Sequence, residues 1–537
     1  MGHCFKKGGT VNIQAKTGSY YTPQRLANFV ANYALKKITR GAPNSLSVLE
    51  PSIGDGVFVR AINSYLQTDK TKVRIVGTDI NEEAVSHAEK VIPSKCNLSL
   101  KVYVADFLKL RKTLNKVDLV IGNPPYVRCR NLTLESREHC QNIHREANLS
   151  DKKVNNIWTS FVVASEKLLK KNGMMAFVLP ADILQVKYAE EIRHFLENKF
   201  DRLELFALKA EDFSSVEQQI VLLFAYKKAS IKGTFFYQIE NYEEAKAKEI
   251  SSNGLMVCNS KWTHYNLSFS DINLLNKIRP KMSVVGDHVD TAAGIVTGAN
   301  NFFILNEQEI KNHGATAYSL PIIGKSEYVQ KVDFVKINYD TLKQDGKAVT
   351  LIDLSNKRKN RKLDFYIEQG EEAGLHQRYK CSQRERWYEV PNINNIPEAF
   401  FFKRSHIHPK VVRNVAKSYV TDSAYKVNSK EGVDLKSFIR SFYTGITFIY
   451  SELLGRRYGG GVLELTPNEF RNIPILYQEC DSKGYKKFCK NTNFNVINNE
   501  ILYPDWLVKK LNLSKYEITQ LKSIHNKLLS ARITNIR

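Results

Sequence analysis

Close cysteine pairs are missing from this chain. Its 8 cysteines are scattered, at Cys4, Cys96, Cys129, Cys140, Cys258, Cys381, Cys480 and Cys489, and none makes the Cys-x-x-Cys spacing that holds zinc or forms a redox dithiol. They are expected to be reduced thiols of a cytoplasmic protein, and no metal is expected. Long apolar runs are missing too. Nothing approaches the roughly 20 residues of a membrane span, and the opening MGHCFKKGG lacks the apolar core of a secretion signal, so no membrane partner is expected. Acidic residues are in deficit, 55 Asp and Glu against 79 Lys and Arg, for a formal charge of +24. Such an excess suggests a polyanionic partner, nucleic acid being the commonest. A generically basic, soluble surface is the plain alternative.

What is present points to an α/β protein. At 537 residues the chain exceeds what one hydrophobic core usually supports, and a hydrophobic fraction of 43% excludes a disordered chain. Between Leu46 and Tyr226 seven β-rich runs alternate with helix-like stretches: 46–50, 74–80, 100–105, 118–122, 174–179, 202–208 and 219–226. That rhythm predicts a mainly parallel sheet with helices on both faces. Only about ten residues without a good helix separate the last two runs, too few for a parallel crossover, so the final strand is predicted to be antiparallel. The pattern resembles the class I S-adenosylmethionine-dependent methyltransferase fold. The predicted domains are 1–230, a connecting segment 231–283, and an α+β domain 284–537 that closes with a helix whose capping box is Ser514 with Glu517.

The first three strand ends carry groups suited to a nucleoside. Glu50-Pro51-Ser52-Ile53-Gly54-Asp55-Gly56 follows the first run, with small residues such as Ser52 and Gly54 where a backbone must approach a ligand at a strand's carboxyl end. The second run ends in Gly77-Thr78-Asp79-Ile80, placing a carboxylate where ribose hydroxyls can donate to it. The third ends at Asp106, followed by Phe107: a carboxylate for an adenine amino group, with apolar neighbours to sandwich the ring. Singly, Asp79 and Asp106 read as helix N-caps. In succession they read as a nucleoside site, suited equally to S-adenosylmethionine and to NAD.

The fourth run leads straight into Asn123-Pro124-Pro125-Tyr126. Consecutive prolines stiffen the backbone and exclude helix, giving a rigid loop beside the cofactor. An aromatic exocyclic amine is a poor nucleophile because its lone pair is delocalised into the ring. The side-chain oxygen of Asn123 and the carbonyl of Pro124 can each accept one of its N–H bonds, freeing the lone pair for attack on a sulfonium methyl. Tyr126 offers a face on which a base can stack, a contact worth about 1 to 3 kcal/mol. A Pro-Cys loop, which attack on cytosine carbon-5 would want, is absent.

With these motifs the sequence resembles the gamma-class adenine-N6 DNA methyltransferases of restriction-modification systems, the TaqI methyltransferase type. The likeness covers most of the chain and follows the family's order of motifs. The resemblance implies S-adenosylmethionine as cofactor and double-stranded DNA as substrate, and it allows a separately encoded restriction endonuclease as partner; the expected state is a monomer. It adds Thr22, in Gly18-Ser19-Tyr20-Tyr21-Thr22-Pro23, as a contact to the methionine carboxylate, and places Glu50 by the methionine, Asp79 and Ile80 by ribose and adenine, and Asp106, Phe107 and Phe161 by the adenine; Asn123 also counts among the cofactor contacts. Phe213, in Asp212-Phe213-Ser214-Ser215-Val216, would stack a flipped base opposite Tyr126, although such a residue read alone is a core phenylalanine. Gly294 to Phe303 and Gly459 to Pro467 resemble parts of the family's target-recognition domain. Between them Arg378, Arg384, Arg386, Lys403 and Arg404 mix with aromatics, as expected of a surface facing phosphates and base edges. Because Asn-Pro-Pro-Tyr also activates amide nitrogens and guanine amines in related enzymes, an RNA or protein-glutamine methyltransferase is the alternative, followed by a catalytically silent DNA-binding subunit.

Overall fold

Alternation along each strand sorts side chains to opposite faces, and in this chain it builds one large sheet and several smaller ones. The computed structural model describes residues 22–39, 44–67, 71–90, 97–207, 220–252, 261–265, 267–458, 461–494 and 498–533. It divides into two compact units, one ending at Ile272 and the other beginning at Asn273.

The first unit holds β1 (Ser45–Glu50), β2 (Lys72–Asp79), β3 (Leu98–Val104), β4 (Val117–Gly122), β5 (Leu169–Pro180), β6 (Arg202–Ala207) and β7 (Ile220–Tyr226), matching the seven predicted runs. The strand order is β3-β2-β1-β4-β5-β7-β6, continued by β8 (Gly233–Asn241) and β9 (Lys246–Ser252). The pairings of β1 through β5 are parallel, and β7 is antiparallel to both β5 and β6, as predicted. The interval 231–283, expected to be a connecting segment, differs: its first part supplies β8 and β9. The reason is topological, since β8 pairs in parallel with β6 rather than with its chain predecessor β7.

Two cores form on the two faces. Leu119 and Ile121 of β4 with Met174, Ala176 and Val178 of β5 pack against helices Gln24–Ile38 and Val57–Leu66. The intervening Val120, Met175, Phe177 and Leu179 pack against helices Trp158–Lys167 and Glu190–Lys199. Each fully buried side chain of this size contributes about 1.5 to 3 kcal/mol.

The second unit is α+β, with a five-stranded sheet in the order Val289–Ala293, Ala424–Ser429, Ala399–Phe402, Lys410–Asn414, Asp333–Phe334. Its last helix, Lys515–Ile533, starts at the predicted capping box: Ser514 N donates to Glu517 Oε2 at 2.9 Å and Glu517 N to Ser514 Oγ at 3.2 Å. Leu521, Ile524 and Leu528 are buried along one face. Among the described residues, no helix is long and apolar enough to cross a membrane.

At the antiparallel end of the large sheet, the buried Glu204 carboxylate accepts hydrogen bonds from Tyr33 Oη (2.9 Å), Tyr226 Oη (2.8 Å) and Arg202 Nε (2.7 Å). Removing the carboxylate leaves one cation and two hydroxyls without their acceptor. Glu204→Ala is expected to destabilise the first unit by about 3 kcal/mol, measured by urea denaturation; a loss under about 1 kcal/mol would show that the network is not structural.

Candidate active site

The strand order reverses between β1 and β4, and open α/β sheets bind ligands outside the carboxyl ends of strands at such a switch point. Every residue predicted near the cofactor in the strand-end loops falls here. Glu50 ends β1, Asp79 ends β2, Asp106 follows β3 and Asn123 follows β4. Register pairs Glu50 with Gly77 and Asp79 with Val104, so these ends lie side by side.

Hydrogen bonds knit the loops together. Ile53 N donates to the Thr78 carbonyl (2.9 Å), Thr78 Oγ1 to the Pro51 carbonyl (2.9 Å), and Gly54 N to Asp79 Oδ2 (3.0 Å). Gly54 and Gly56 take the left-handed φ values of 52° and 77°, conformations that side chains rarely adopt. Asp79 Oδ1 accepts from Asn81 N at 3.0 Å. Asp106 caps the short helix Phe107–Leu110, its Oδ1 accepting from Leu108 N at 2.9 Å, so the N-cap reading of this residue holds while its other oxygen takes no part in the cap.

The Asn123–Tyr126 loop is tied to this frame at three points. Ser52 Oγ donates to the Asn123 carbonyl (3.0 Å), and Asn123 Nδ2 donates to Thr22 Oγ1 (3.2 Å). The Tyr126 hydroxyl lies 2.6 Å from Asn123 Oδ1 and 3.0 Å from the Val178 carbonyl, its single proton serving both acceptors. The Asn123 carboxamide is thereby held at both ends. Tyr126 is only 8% exposed, with its ring in the core cluster that includes Phe107 and Phe161. Those two rings sit 5.2 Å apart, both buried, and Ile80 stands 73% exposed beside Asp79.

Glu50 is the electrostatic anomaly of the site. It is 1% exposed and neither carboxylate oxygen has a hydrogen-bond partner. Burial first, then the charges of Asp55 and Asp79, push its pKa well above the ordinary 4.5, with Arg60 opposing. Arg60 is turned away to Asp55, at 2.8 Å from both its Oδ2 and its carbonyl. A buried carboxylate without a partner holds its proton or takes up a cation. The ammonium of S-adenosylmethionine is such a cation, and Asp79, Ile80, Asp106 and Phe107 supply the polar and apolar groups its nucleoside needs. The residues fit the cofactor. No group of three or more His, Cys, Asp or Glu able to hold a metal occurs among the described residues.

Phe213 lies outside the described residues. In the second unit Arg378 and Arg386 are exposed, Arg386 pairing with Glu389 at 3.1 Å, and Lys403 and Arg404 pair with Asp422 and Glu464. Arg384 has a use other than the surface contact expected of it. Its guanidinium donates to the carbonyls of Trp387 (3.0 Å), Val296 (3.1 Å) and Thr297 (2.7 Å), holding the Gly294–Phe303 stretch. Sequence reasoning gave no role to Thr78, although it sits in the Gly77–Ile80 motif, and missed Arg60 and the Val178 carbonyl, neither of which carries a motif signal.

A parallel sheet whose order reverses between β1 and β4 and that ends in an antiparallel strand, with acidic strand ends and an Asn-Pro-Pro-Tyr loop after β4, is the fold of a class I S-adenosylmethionine-dependent methyltransferase. Residues 65–213 match the family described as Eco57I restriction-modification methylase, and residues 259–502 match the Type II methyltransferase M.Eco57I, C-terminal domain. Type II methyltransferase M.AccI of Acinetobacter calcoaceticus is 24% identical over 495 residues, covering 88% of this chain and 87% of that protein. M.HindII of Haemophilus influenzae is 24% identical over 324 residues, and the match spans only 55% of its length. The Type IIL restriction-modification enzyme MmeI, solved in complex with DNA, superposes with a TM-score of 0.53 at 14% identity over 96% of this chain and 72% of its own, a likeness of fold. This chain is a DNA methyltransferase of the restriction-modification kind.

The raised pKa of Glu50 has a stability consequence in the cofactor-free protein. Its protonated form suits the buried site, so its contribution is full below pH 4.5 and is lost as pH rises toward the elevated folded value. Glu50→Gln, neutral at every pH, is expected to gain stability relative to wild type as pH rises above 4.5, measured by urea denaturation across a pH series. A wild-type-to-variant difference that stays flat with pH would contradict this.

Proposed function

We propose that this protein methylates the N6 amino group of adenine in double-stranded DNA, with the target base swung out of the helix to reach the crevice after β4. The observation that carries this is the Asn123 carboxamide, oriented by Tyr126 and Thr22 at a strand end beside the unpartnered Glu50. S-adenosylmethionine, when bound, supplies an electrophilic methyl on a positively charged sulfur. Thr22, Glu50, Ser52, Gly54, Asp79, Ile80, Asp106, Phe107 and Phe161 would hold it. Asn123 Oδ1 and the Pro124 carbonyl accept the two amino N–H bonds, drawing the nitrogen toward tetrahedral geometry; its lone pair forms the C–N bond as the carbon–sulfur bond to the methyl breaks, the electron pair returning to sulfur to leave a neutral thioether, and one amino proton is lost to solvent. Pro125 keeps the loop rigid, the Tyr126 hydroxyl fixes the Asn123 oxygen, and the Tyr126 ring receives the flipped base, with Phe213 proposed as the second stacking residue from the resemblance alone. Flipping costs a few kcal/mol, which stacking partly offsets.

The second unit, on this reading, is the target-recognition domain, with Arg378, Arg386, Lys403 and Arg404 toward the DNA and Arg384 holding the loop beneath. MmeI, similar in fold, was solved with DNA bound. The basic surplus of the chain favours a nucleic acid over a protein glutamine, and methylation of host sites against a companion endonuclease is the biological role proposed.

Methyl transfer from labelled S-adenosylmethionine to unmethylated genomic DNA, followed by nucleoside analysis, tests the assignment. N6-methyladenine is expected, lost by on the order of 100-fold or more in Asn123→Ala. Label in 4-methylcytosine, or none in DNA, would contradict it. Tyr126→Phe, which keeps the ring, is expected to lower kcat about fivefold through loss of one buried hydrogen bond. Tyr126→Ala should cost a further factor of about ten as stacking is lost. Equal losses in the two variants would refute the stacking role.

A further inference from the structure

Beneath the exposed cations of the second unit lies one buried arginine whose hydrogen bonds gather three chain segments. Arg532, near the end of the last helix, has a side chain with 0% exposure. Its Nε donates to Glu452 Oε1 and Oε2 at 3.0 and 3.1 Å, its Nη1 to the carbonyls of His406 and Gly461, and its Nη2 to the carbonyl of Ile407 at 3.3 Å. Glu452, on helix Gly445–Leu454, is 2% exposed.

Those carbonyls adjoin a small antiparallel sheet in the order Arg404–Ser405, Val462–Glu464, Arg456–Tyr458. Pairing of Arg404 and of Arg456 with Glu464, and of Tyr458 with Val462, puts these five residues on one face. Leu463 and Arg457 take the other face and are buried. On that face Arg404 keeps 67% of its side chain exposed, its Nε on Glu464, and Tyr458 is 48% exposed, while Glu464 and Arg456, whose Nε donates to Glu469 at 3.1 Å, are largely covered, so Arg404 and Tyr458 form its outer part. Pinning Nε across the strand leaves the two Nη groups for an acceptor pair, the geometry by which arginine reads O6 and N7 of guanine.

We propose that this outer face, with Arg404 and Tyr458 foremost, reads base edges in the major groove of duplex DNA, and that Arg532 with Glu452 is the positioning pair that sets its angle. The major groove is about 12 Å wide, and strands spaced about 4.8 Å apart set Arg404 and Tyr458, on the two outer strands of this sheet, roughly 10 Å apart, within its width. The planar fork of arginine suits the clamp because it bonds several acceptors in fixed directions, which a lysine does not. The proposal rests on reading the chain as a DNA methyltransferase and adds which surface sets its sequence preference.

The test is methylation of unmethylated genomic DNA by wild type and variants, with the modified sites sequenced and kcat and KM for DNA measured. Arg404→Ala and Tyr458→Ala are surface changes, expected to relax the modified sequence with about a tenfold loss of discrimination at one or more positions, and to raise KM for DNA more than they lower kcat. Arg532→Lys is expected to relax the same positions while S-adenosylmethionine binding without DNA stays as in wild type. Glu452→Gln takes its place if Arg532→Lys does not accumulate as folded protein. An unchanged modified sequence in both surface variants overturns the assignment of the face. Relaxation in those two, but not in a folded Arg532→Lys or Glu452→Gln protein, overturns the clamp. A wild-type protein that modifies no DNA instead overturns the reading on which the proposal rests.

Discussion

A carboxylate buried without a partner is costly, and Glu50 is such a group at the carboxyl end of β1, where the strand order reverses. The surrounding loops are built to keep it there. Gly54 and Gly56 turn the chain tightly away from the strand, Asp79 accepts from the Gly54 backbone, and Thr78 ties down Pro51, so water does not reach a group that would otherwise prefer to be solvated. Arg60, the nearest cation, is committed to Asp55. Burial and the neighbouring acids Asp55 and Asp79 favour a cationic partner for this group, and the ammonium of the proposed methyl donor is one.

The same frame sets the chemistry on the other side of the switch point. Ser52, in the loop after Glu50, donates to the backbone of Asn123, and the Asn123 side chain donates to Thr22, so the loop after β1 and the loop after β4 are tied together. Tyr126 completes the frame by reaching across to β5 through the Val178 carbonyl. A carboxamide held at both ends presents its oxygen without the entropy loss of ordering it during the reaction.

Much of this was legible in the sequence, for local reasons. Strands β1 to β7 announce themselves by short apolar runs, and the strand-end residues Glu50, Asp79, Asp106 and Asn123 follow those runs within two positions. The capping box at Ser514 and Glu517 is likewise a four-residue pattern. What escaped was non-local. Strands β8 and β9 join the sheet through a parallel pairing with β6 that skips β7, and no spacing rule reveals that. Arg384 reads as a surface cation beside Trp387 and Tyr388, yet it bonds to carbonyls 87 and 88 residues earlier in the chain. Arg532 reaches 126 residues back to His406. That Glu50 lacks a partner is equally invisible, because a sequence shows which charge is present and not which charges turn away from it.

The most direct measurement of the central claim, that the buried Glu50 charge is completed by the cofactor, is calorimetric titration of S-adenosylmethionine in buffers of different ionisation heat, from about pH 5 to about pH 8. Burial raises the pKa of Glu50 and so favours its protonated form in the free protein, whereas pairing with the ammonium favours the ionised form. Release approaching one proton per cofactor is expected at pH values between the ordinary and elevated pKa of the carboxyl, absent from Glu50→Gln, which should also bind far more weakly. Binding by wild type with no proton release at any pH in that range, or full affinity in Glu50→Gln, would contradict the account.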